Sequence, residues 1–582
     1  MPPEARAVAT AKRARRVPIA WAGVGGVVYA ASRVGAAFTV AGNWDEFALL
    51  DRAARSFETG VLAAGGRPGL ATLVLMPFAA GCRDEISTLH AARLLWVGFT
   101  LAFLAGLWVL LWQACARSRR RAADAWLGVG LLALVPAFLE WSIQVRSDQL
   151  ALVFGVWGGV ALLASRRRPM LAAVAGLSFA VGYLATQKLA YVGALAGTLA
   201  LGDLWSQHDF RARREAIRAA ACAACFGAVL AGFDLATTAR LEVPQGQHAL
   251  ASLSPGVVAK QLSEFEYYRN TIGFSQYLDI LPTLVPHAVL LAALVAATGA
   301  GLRSRKAAPE ELWIAWALLA VGLGIAAFHA SAFAYFFMTL GLFPAAALAI
   351  AGDAVRRTLF AGRQRVALLA VIGLWLVLWT QGALRMAELS IDTQAVQRES
   401  LAFIHGNFDA TDAGFHPEHG PFCRAEPVPI RRYFSQVLYR HFAGENRAIN
   451  TRNFLSDFRS RQVKFVLQSF RLNQFPVEIR RFLAENYQPY RASVFVAGRH
   501  LAGGAGTTTE IELLVPGRYR WIPFAGPRTV RIGTWTLGPG ETAELGAGSH
   551  TVEFVEDVRG GMLVLAVADP PGKAPLAFYK SY

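Results

Sequence analysis

The sequence predicts a polytopic α-helical membrane protein of about 11 transmembrane helices, followed by a C-terminal extracytoplasmic region that combines an α/β module with a β-sandwich. Two observations predict this class. Of the 582 residues, 54% are hydrophobic and only 17% are charged, which is more apolar than soluble domains are. Apolar stretches of about 18 to 25 residues alternate with Arg clusters, and such stretches match the roughly 30 Å hydrocarbon core of a bilayer.

The formal net charge of +17 does not indicate a nucleic-acid partner. The Arg residues lie in short clusters between apolar runs, not along one helix face. Such clusters follow the positive-inside rule and attract anionic lipid. We therefore expect membrane lipid, and no nucleic acid, as the partner of these charges.

The chain begins with a basic segment, residues 1–16, which should remain in the cytoplasm. The apolar run 17–40 is too long for the core of a signal peptide and predicts an uncleaved first span whose far end faces outward. Arg33 lies in the outer half of this span, and we expect its guanidinium to reach the interface. Residues 17–386 form the predicted membrane domain, because every cluster of three or more basic residues then falls on one side.

The first outer loop, residues 41–88, starts with Asn43-Trp44-Asp45-Glu46. Four apolar residues then recur at helical spacing and predict a short amphipathic helix in the membrane interface. They are Phe47, Leu50, Ala54 and Phe57. The apolar stretch 70–80 contains Pro77 and is too short to cross the membrane.

Hydropathy drops near the end of the predicted membrane domain. Residues 387–503 mix strand-like pieces with one helical piece, which predicts a small α/β module. The expected strands are 401–404, 463–467 and 493–496, and the expected helix is 476–486. Residues 504–582 alternate apolar and polar residues between Pro-Gly and Gly-Gly turns, which is typical of a β-sandwich.

The cysteines indicate no disulfide framework. Cys222 and Cys225 have redox spacing, but they lie in an Ala-rich apolar run and are interpreted as small-residue helix packing. His416, His419 and Cys423 match no zinc pattern, and a loop without metal is expected there.

Asp45 and Glu46 are the candidate catalytic residues. Two adjacent carboxylates at the exit of a membrane helix are costly to keep near the apolar phase, which favours a functional role. The alternative is a solvated helix end that fixes the depth of the helix. Asp45 is interpreted as the general base.

Further polar residues are expected on the outer face. A carboxylate that takes a hydroxyl proton and cations that neutralise a departing phosphate would suit transfer from a lipid-anchored phosphate. The expected phosphate-binding residues are Arg67, Arg146 and Lys188, and the expected substrate-binding residues are Asp148, Glu140 and Tyr335. The alternatives are an ion pair that closes a turn for Arg146 and Asp148, a helix-end lysine for Lys188, and an interfacial residue for Tyr335.

Three short segments, in this order and topology, resemble the GT-C membrane glycosyltransferases, and within them the bacterial protein-mannosyltransferase and aminoarabinose-transferase type. The segments are Asp45-Glu46-Phe47-Ala48-Leu49-Leu50, Gly66-Arg67-Pro68-Gly69-Leu70 and Arg146-Ser147-Asp148. The resemblance covers about residues 17–350. It implies a GT-C-like fold and an inverting transfer from a polyprenyl-phosphate-linked sugar donor to a glycan, lipid or protein acceptor.

The resemblance also implies where the chemistry lies. The base is the first-loop acid, Asp45, with Glu46 beside it, and Arg67 matches a basic residue before proline. This chain departs there from the fuller Lys-Pro-Pro-Leu pattern. The family includes metal-dependent and metal-independent members, so no metal or other cofactor is assigned and a divalent metal stays open. The expected location is a bacterial inner (plasma) membrane, with a cytoplasmic N-terminus and a periplasmic C-terminal domain.

The alternative function is a transporter or flippase of lipid-linked sugars. Such proteins usually show paired halves and charges near the membrane midplane. This sequence shows no clear internal repeat, and its unusual polar residues collect at one predicted surface. An inactive relative with an adhesion tail is a third, weaker reading.

Overall fold

A computed structural model describes residues 25–63, 69–116, 118, 120–207, 211–244, 248–254, 285–303, 310–328, 337–360, 363–391, 394–416, 420–424, 447–469, 472–473, 475–573, 576 and 578. The chain divides into two compact units. The helical unit comprises Met1–Val40, Arg52–Gly81 and His90–Asp392. The C-terminal unit comprises Ala41–Asp51, Cys82–Leu89 and Thr393–Tyr582.

Helices make up the first two thirds of the described chain. Residues 25–39 are helical, and the helices that follow are Trp44–Thr59, Leu70–Ala79, Glu85–Ala114, Arg121–Ala133, Pro136–Trp141, Ser147–Ala164, Leu171–Ala185, Leu189–Gln207, Ala212–Thr238, Val285–Arg303, Glu310–Phe328, Phe337–Leu340, Leu342–Leu359 and Gln364–Ile391. The helix Trp44–Thr59 confirms the helical spacing of the first outer loop.

Within the described residues, five helical segments are long and apolar enough to cross a membrane. They are Glu85–Ala114, Ser147–Ala164, Ala212–Thr238, Met338–Leu359 and Leu369–Leu389. Shorter apolar helices accompany them. One is Leu70–Ala79, which contains Pro77 and is short, as expected for the stretch 70–80. The chain therefore carries several apolar helices, and the number of about 11 spans stays a prediction.

Small residues allow close packing in the helical unit. A Cβ atom added to Gly176 would lie 2.1 Å from the carbonyl oxygen of Cys222, so only glycine fits between these two helices. Gly128 is similarly close to the carbonyl oxygen of Ala345, at 2.7 Å from an added Cβ. Cys222 and Cys225 are free thiols within the helix Ala212–Thr238.

Arginines of the helical unit gather at one end of the helix Ser147–Ala164. Arg166 follows this helix and pairs with Asp203 at 2.5 Å. Arg218 donates to the Oγ of Ser165 at 2.9 Å. Arg146 is the N-cap of the same helix, so it lies at the opposite end from this cluster.

After residue 392, the described part of the C-terminal unit contains strands and three helices. The helices are Ala395–Asn407, Arg447–Arg461 and Val477–Asn486. The strands are β1 (Gly414–Phe415), β2 (Phe465–Leu467), β3 (Tyr487–Arg491), β4 (Val494–Gly503), β5 (Thr508–Leu513), β6 (Gly517–Pro523), β7 (Val530–Ile532), β8 (Trp535–Leu537), β9 (Thr542–Leu545), β10 (Gly548–Phe554) and β11 (Val558–Leu565).

Among the described residues these strands form two sheets. One has the order β1-β2-β4-β11-β6-β9, with β3 paired to β4, and the other has the order β5-β10-β7-β8. The pair β1 and β2 is parallel, and the other pairs are antiparallel. The sheet that contains β4 continues into β11 and β6, so it joins residues on both sides of position 503.

One expected strand is wrong. Residues 401–404 belong to the helix Ala395–Asn407. Its buried residues recur at helical spacing: Gln397, Ser400, Leu401, Phe403 and Ile404. The apolar run alone was too short to separate a strand from one buried face of a helix. The expected strands near 465 and 494 and the helix near 480 are confirmed.

Candidate functional site

Asn43 and Glu46 together start the helix Trp44–Thr59. The backbone N–H of Asn43 donates to Oε2 of Glu46 at 2.9 Å, and the N–H of Glu46 donates to the carbonyl of Asn43 at 3.1 Å. Asn43 Oδ1 accepts the N–H of Asp45 at 2.8 Å. This is the reciprocal capping box, in which two side chains satisfy the N–H groups that a helix start leaves unpaired.

The structure distinguishes the two members of the acidic pair. Glu46 is fully buried, and its carboxylate serves the helix cap. Asp45 is half-buried. Both lie in the first turn, where the positive end of the helix dipole favours negative charge.

Arg146, Asp148 and Lys188, three of the expected site residues, come together in the helical unit. Lys188 Nζ lies 3.2 Å from Asp148 Oδ1, and Arg146 Nε lies 3.7 Å from Asp148 Oδ2. Arg146 and Asp148 are almost completely buried. The guanidinium of Arg146 also lies over the ring of Trp141, 5.1 Å from its centroid. Arg146 and Asp148 therefore form a buried pair and not a surface ion pair.

Local backbone geometry explains why Arg146, Asp148 and Lys188 lie close together. Arg146 is extended at the N-cap of the helix Ser147–Ala164, and its carbonyl accepts the indole N–H of Trp96 at 2.6 Å. The helix Leu171–Ala185 ends at Thr186, whose extended backbone opens the turn to Lys188. The sequence separates Asp148 from Lys188 by 40 residues, but these two helix ends bring them into contact.

Glu140 belongs to a second ion pair. Its Oε2 lies 2.5 Å from Nη2 of Arg385. Arg33 lies in the same part of the helical unit, and it is fully buried rather than extended to the interface. Its guanidinium donates to the carbonyl of Leu139 and contacts the Sδ of Met386 at 2.5 Å. The expected snorkelling of Arg33 is wrong, because these internal acceptors replace water.

Two expected site residues, Arg67 and Tyr335, lie outside the described residues. The same holds for His419 of the His/Cys cluster. No group of three or more His, Cys, Asp or Glu side chains in the described part of the chain is arranged to hold a metal ion.

The expectation of no disulfide is wrong. Cys82 and Cys423 form a disulfide within the C-terminal unit, with their Cα atoms 5.3 Å apart and a separation of 341 positions in sequence. The sequence did contain a signal, since both cysteines fall on the predicted outer side, where disulfides form and persist. Because the two cysteines are so far apart in sequence, no local spacing pattern indicates that they pair.

A hydrogen-bonded acid and imidazole lie next to this disulfide. Glu85 is fully buried and accepts the backbone N–H of Cys423 at 3.1 Å. It also bonds Nε2 of His405 at 2.9 Å. This hydrogen bond to Glu85 raises the pKa of His405, although burial of the ring acts in the opposite direction. Sequence reasoning missed both residues, because neither belongs to a recognisable motif.

The fold of this chain is similar to that of a solved archaeal oligosaccharyltransferase. One solved structure with a similar fold is the apo crystal structure of the Archaeoglobus fulgidus oligosaccharyltransferase. It has a TM-score of 0.53 and 9% sequence identity to this chain. The match covers 96% of this chain and 98% of that chain. At this identity the likeness concerns the fold.

A second structure of that oligosaccharyltransferase, in complex with Zn and sulfate, covers 94% of this chain and 98% of its own, with 11% identity and a TM-score of 0.48. No protein-family model matches this chain. No curated protein matches it either. Five helices of the described chain have the length and apolar composition that crossing a membrane requires.

Proposed function

We propose that this protein is a GT-C glycosyltransferase that moves a sugar from a polyprenyl-phosphate-linked donor to an acceptor hydroxyl, with inversion, on the periplasmic face of a bacterial inner membrane. The acceptor is a glycan, a lipid or a protein. The observation that carries the proposal is the acidic pair at the start of the first loop helix: Asp45 is half-buried, while Glu46 is fully buried and accepts the N–H of Asn43. The fold of the archaeal oligosaccharyltransferase supports the enzyme class.

The proposed reaction is a single displacement. The acceptor oxygen forms a bond to the anomeric carbon, and the bond from that carbon to the phosphate oxygen breaks. The electron pair leaves with the polyprenyl phosphate, and Asp45 takes the proton of the acceptor hydroxyl. Glu46 does not react; it holds the turn that carries Asp45.

Arg146 and Lys188 are the proposed phosphate-binding residues. Both cations lie within 4 Å of the Asp148 carboxylate. Little water surrounds them, and charges interact more strongly away from water, which would favour a donor phosphate here. Asp148 would orient both cations, and Glu140, held by Arg385, would contribute to substrate binding with Tyr335 and Arg67.

The disulfide supports the proposed compartment. Cys82 and Cys423 are bonded, and disulfides persist outside the reducing cytoplasm. The first loop and the C-terminal unit that these cysteines belong to would then lie in the periplasm. The arginines around Arg166, at the far end of the helix that Arg146 begins, would lie at the cytoplasmic surface.

A transfer assay tests the proposal. It uses purified protein in liposomes, supplied with radiolabelled polyprenyl-phosphate-linked sugars and a membrane extract of acceptors. We expect a new glycosidic bond of inverted configuration, and one polyprenyl phosphate released for each sugar transferred. Nucleotide sugars should give no product. Movement of the labelled lipid across the bilayer without bond formation would instead support the flippase.

A further inference from the structure

The side chain of Gln397 binds both backbone polar groups of Gly42. Gln397 is 1% exposed and lies on the helix Ala395–Asn407. Its Oε1 accepts the N–H of Gly42 at 2.7 Å, and its Nε2 donates to the carbonyl of Gly42 at 2.8 Å. One amide side chain therefore does for Gly42 what a neighbouring strand does in a sheet.

The orientation of this amide is fixed. Nε2 also donates to the carbonyl of Phe578 at 3.0 Å. The amide thus meets two acceptors at its nitrogen and one donor at its oxygen, and a flipped Gln397 would place its oxygen against two carbonyls. Three matched hydrogen bonds in a buried site hold Gln397 in one arrangement before any substrate arrives.

Gly42 has no room for a side chain. An added Cβ would lie 2.2 Å from Cε2 of Phe47 and 2.9 Å from Cδ2 of Leu89. The Phe47 ring is held in turn by edge contacts with Phe422 and Phe578, at centroid distances of 5.9 and 5.7 Å. The backbone at Gly42 is therefore clamped by hydrogen bonds and by aromatic packing within the C-terminal unit.

Gly42 immediately precedes the capping box that presents Asp45. We propose that Gln397 is a positioning residue of the glycosyltransferase: through Gly42 it fixes the segment 42–46 and thereby the place of the Asp45 carboxylate. This inference rests on the proposed function. It gives the helix Ala395–Asn407 a part in catalysis without any contact between Gln397 and substrate, because a reacting group misplaced by about 1 Å can cost about a hundredfold in rate.

Two substitutions and a matched control test the inference in the full-length protein. Gln397→Leu removes all three hydrogen bonds. Gln397→Glu keeps the acceptor for the Gly42 N–H but replaces the donor by an oxygen. Ser400→Ala is the control, since Ser400 is buried one turn further along the same helix and accepts the N–H of Ser493 at 3.1 Å. It disturbs the same unit away from Gly42.

We expect Gln397→Leu to lower kcat by about 10- to 100-fold with little change in donor KM, because positioning affects the chemical step. Amide hydrogen exchange in the peptide 41–51 should accelerate in this variant and not in Ser400→Ala. Gln397→Glu should regain activity relative to wild type as the pH falls, because protonation of the introduced buried carboxyl restores one donor. The activity of Ser400→Ala relative to wild type should not change with pH.

Wild-type kcat and wild-type exchange in Gln397→Leu would overturn the inference. So would an equal loss of kcat in Ser400→Ala, because the effect would then be general to the unit. Asp45→Asn, measured in parallel, separates this failure from that of the proposed function. An inactive Asp45→Asn beside a fully active Gln397→Leu overturns the positioning role alone, whereas a fully active Asp45→Asn removes the proposed mechanism itself.

Discussion

Glu85 and His405, 320 residues apart in the chain, form a hydrogen-bonded pair in which the carboxylate is fully buried and the imidazole is 35% exposed. Glu85 immediately precedes the apolar part of a membrane-length helix, and His405 lies near the end of the helix that carries Gln397. Cys423 donates its N–H to the same carboxylate. The disulfide, this pair and the Gln397 clamp are thus three separate attachments of first-loop residues inside the C-terminal unit.

The pair predicts a pH-dependent contribution to stability. The folded protein raises the pKa of His405 above its ordinary value of 6.5, first through the hydrogen bond to Glu85 and against the opposing effect of burial; Asp84 adds to the rise and Arg424 reduces it. A raised folded pKa stabilises fully below the unfolded pKa and loses its effect as the pH rises through the folded value.

We therefore expect His405→Gln to lower the free energy of unfolding by about 1 kcal/mol at pH 6, with a smaller difference from wild type at pH 8 to 9. Thermal unfolding in detergent across this range measures it. His550→Gln is the control, since His550 bonds the carbonyl of Gly546 and not a carboxylate. A difference that grows with pH would contradict the pairing.

The disulfide makes a prediction about its two cysteines. Cys82→Ser and Cys423→Ser should each lower the free energy of unfolding by about 2 to 4 kcal/mol. The double variant should lose no more free energy of unfolding than either single variant. Cys222→Ser, which changes a free thiol, should have little effect. Peptide mapping without reductant should recover the linked pair; additive losses and an unlinked Cys82 would refute the bond.

Gly42→Ala should be harmful because the new methyl group meets the Phe47 ring. We expect a loss of about 1 to 3 kcal/mol in stability, as for other overpacked sites, together with a lower transfer rate. Gly35→Ala is the matched control, since an added Cβ there meets nothing within 4 Å and the residue is helical. Equal behaviour of the two variants would show that the segment relaxes around residue 42.

The charged cluster predicts a defect in donor use. Lys188→Ala and Arg146→Ala should each raise the donor KM by about tenfold or more, because each removes one cation from a buried site. Arg166→Ala is the control: it also breaks an ion pair of the helical unit, with Asp203, but at the other end of the helix that Arg146 begins. Unchanged donor KM in both cluster variants would remove the phosphate role.

Local patterns predicted local structure well. The spacing of Phe47 and Leu50 predicted the first loop helix, because burial of one face leaves a direct mark on the sequence. The polar residues of this helix do not all face solvent: Asp51 is only 3% exposed. A short apolar run gave the wrong answer at 401–404, where the length was insufficient to separate the two periodicities.

Long-range partners were beyond local patterns. Gln397 looks like any polar residue of an amphipathic helix, and its role follows only from the approach of Gly42, 355 residues away. Arg33 was expected at the interface but is buried. Its internal acceptors at Leu139 and Met386 come from distant helices, so no local pattern indicates them. Topology did bring Arg146, Asp148 and Lys188 to one predicted surface, and the structure joins these three residues in one cluster.

The most direct test of the account is the transfer rate of Asp45→Asn beside that of Glu46→Gln. Both substitutions keep the shape of the side chain and remove a charge, and Glu46→Gln retains an oxygen that can accept the N–H of Asn43. General-base catalysis contributes about 10²- to 10⁴-fold, so we expect kcat of Asp45→Asn to fall by at least about a hundredfold while Glu46→Gln keeps most of its activity. A wild-type rate in Asp45→Asn would contradict the account.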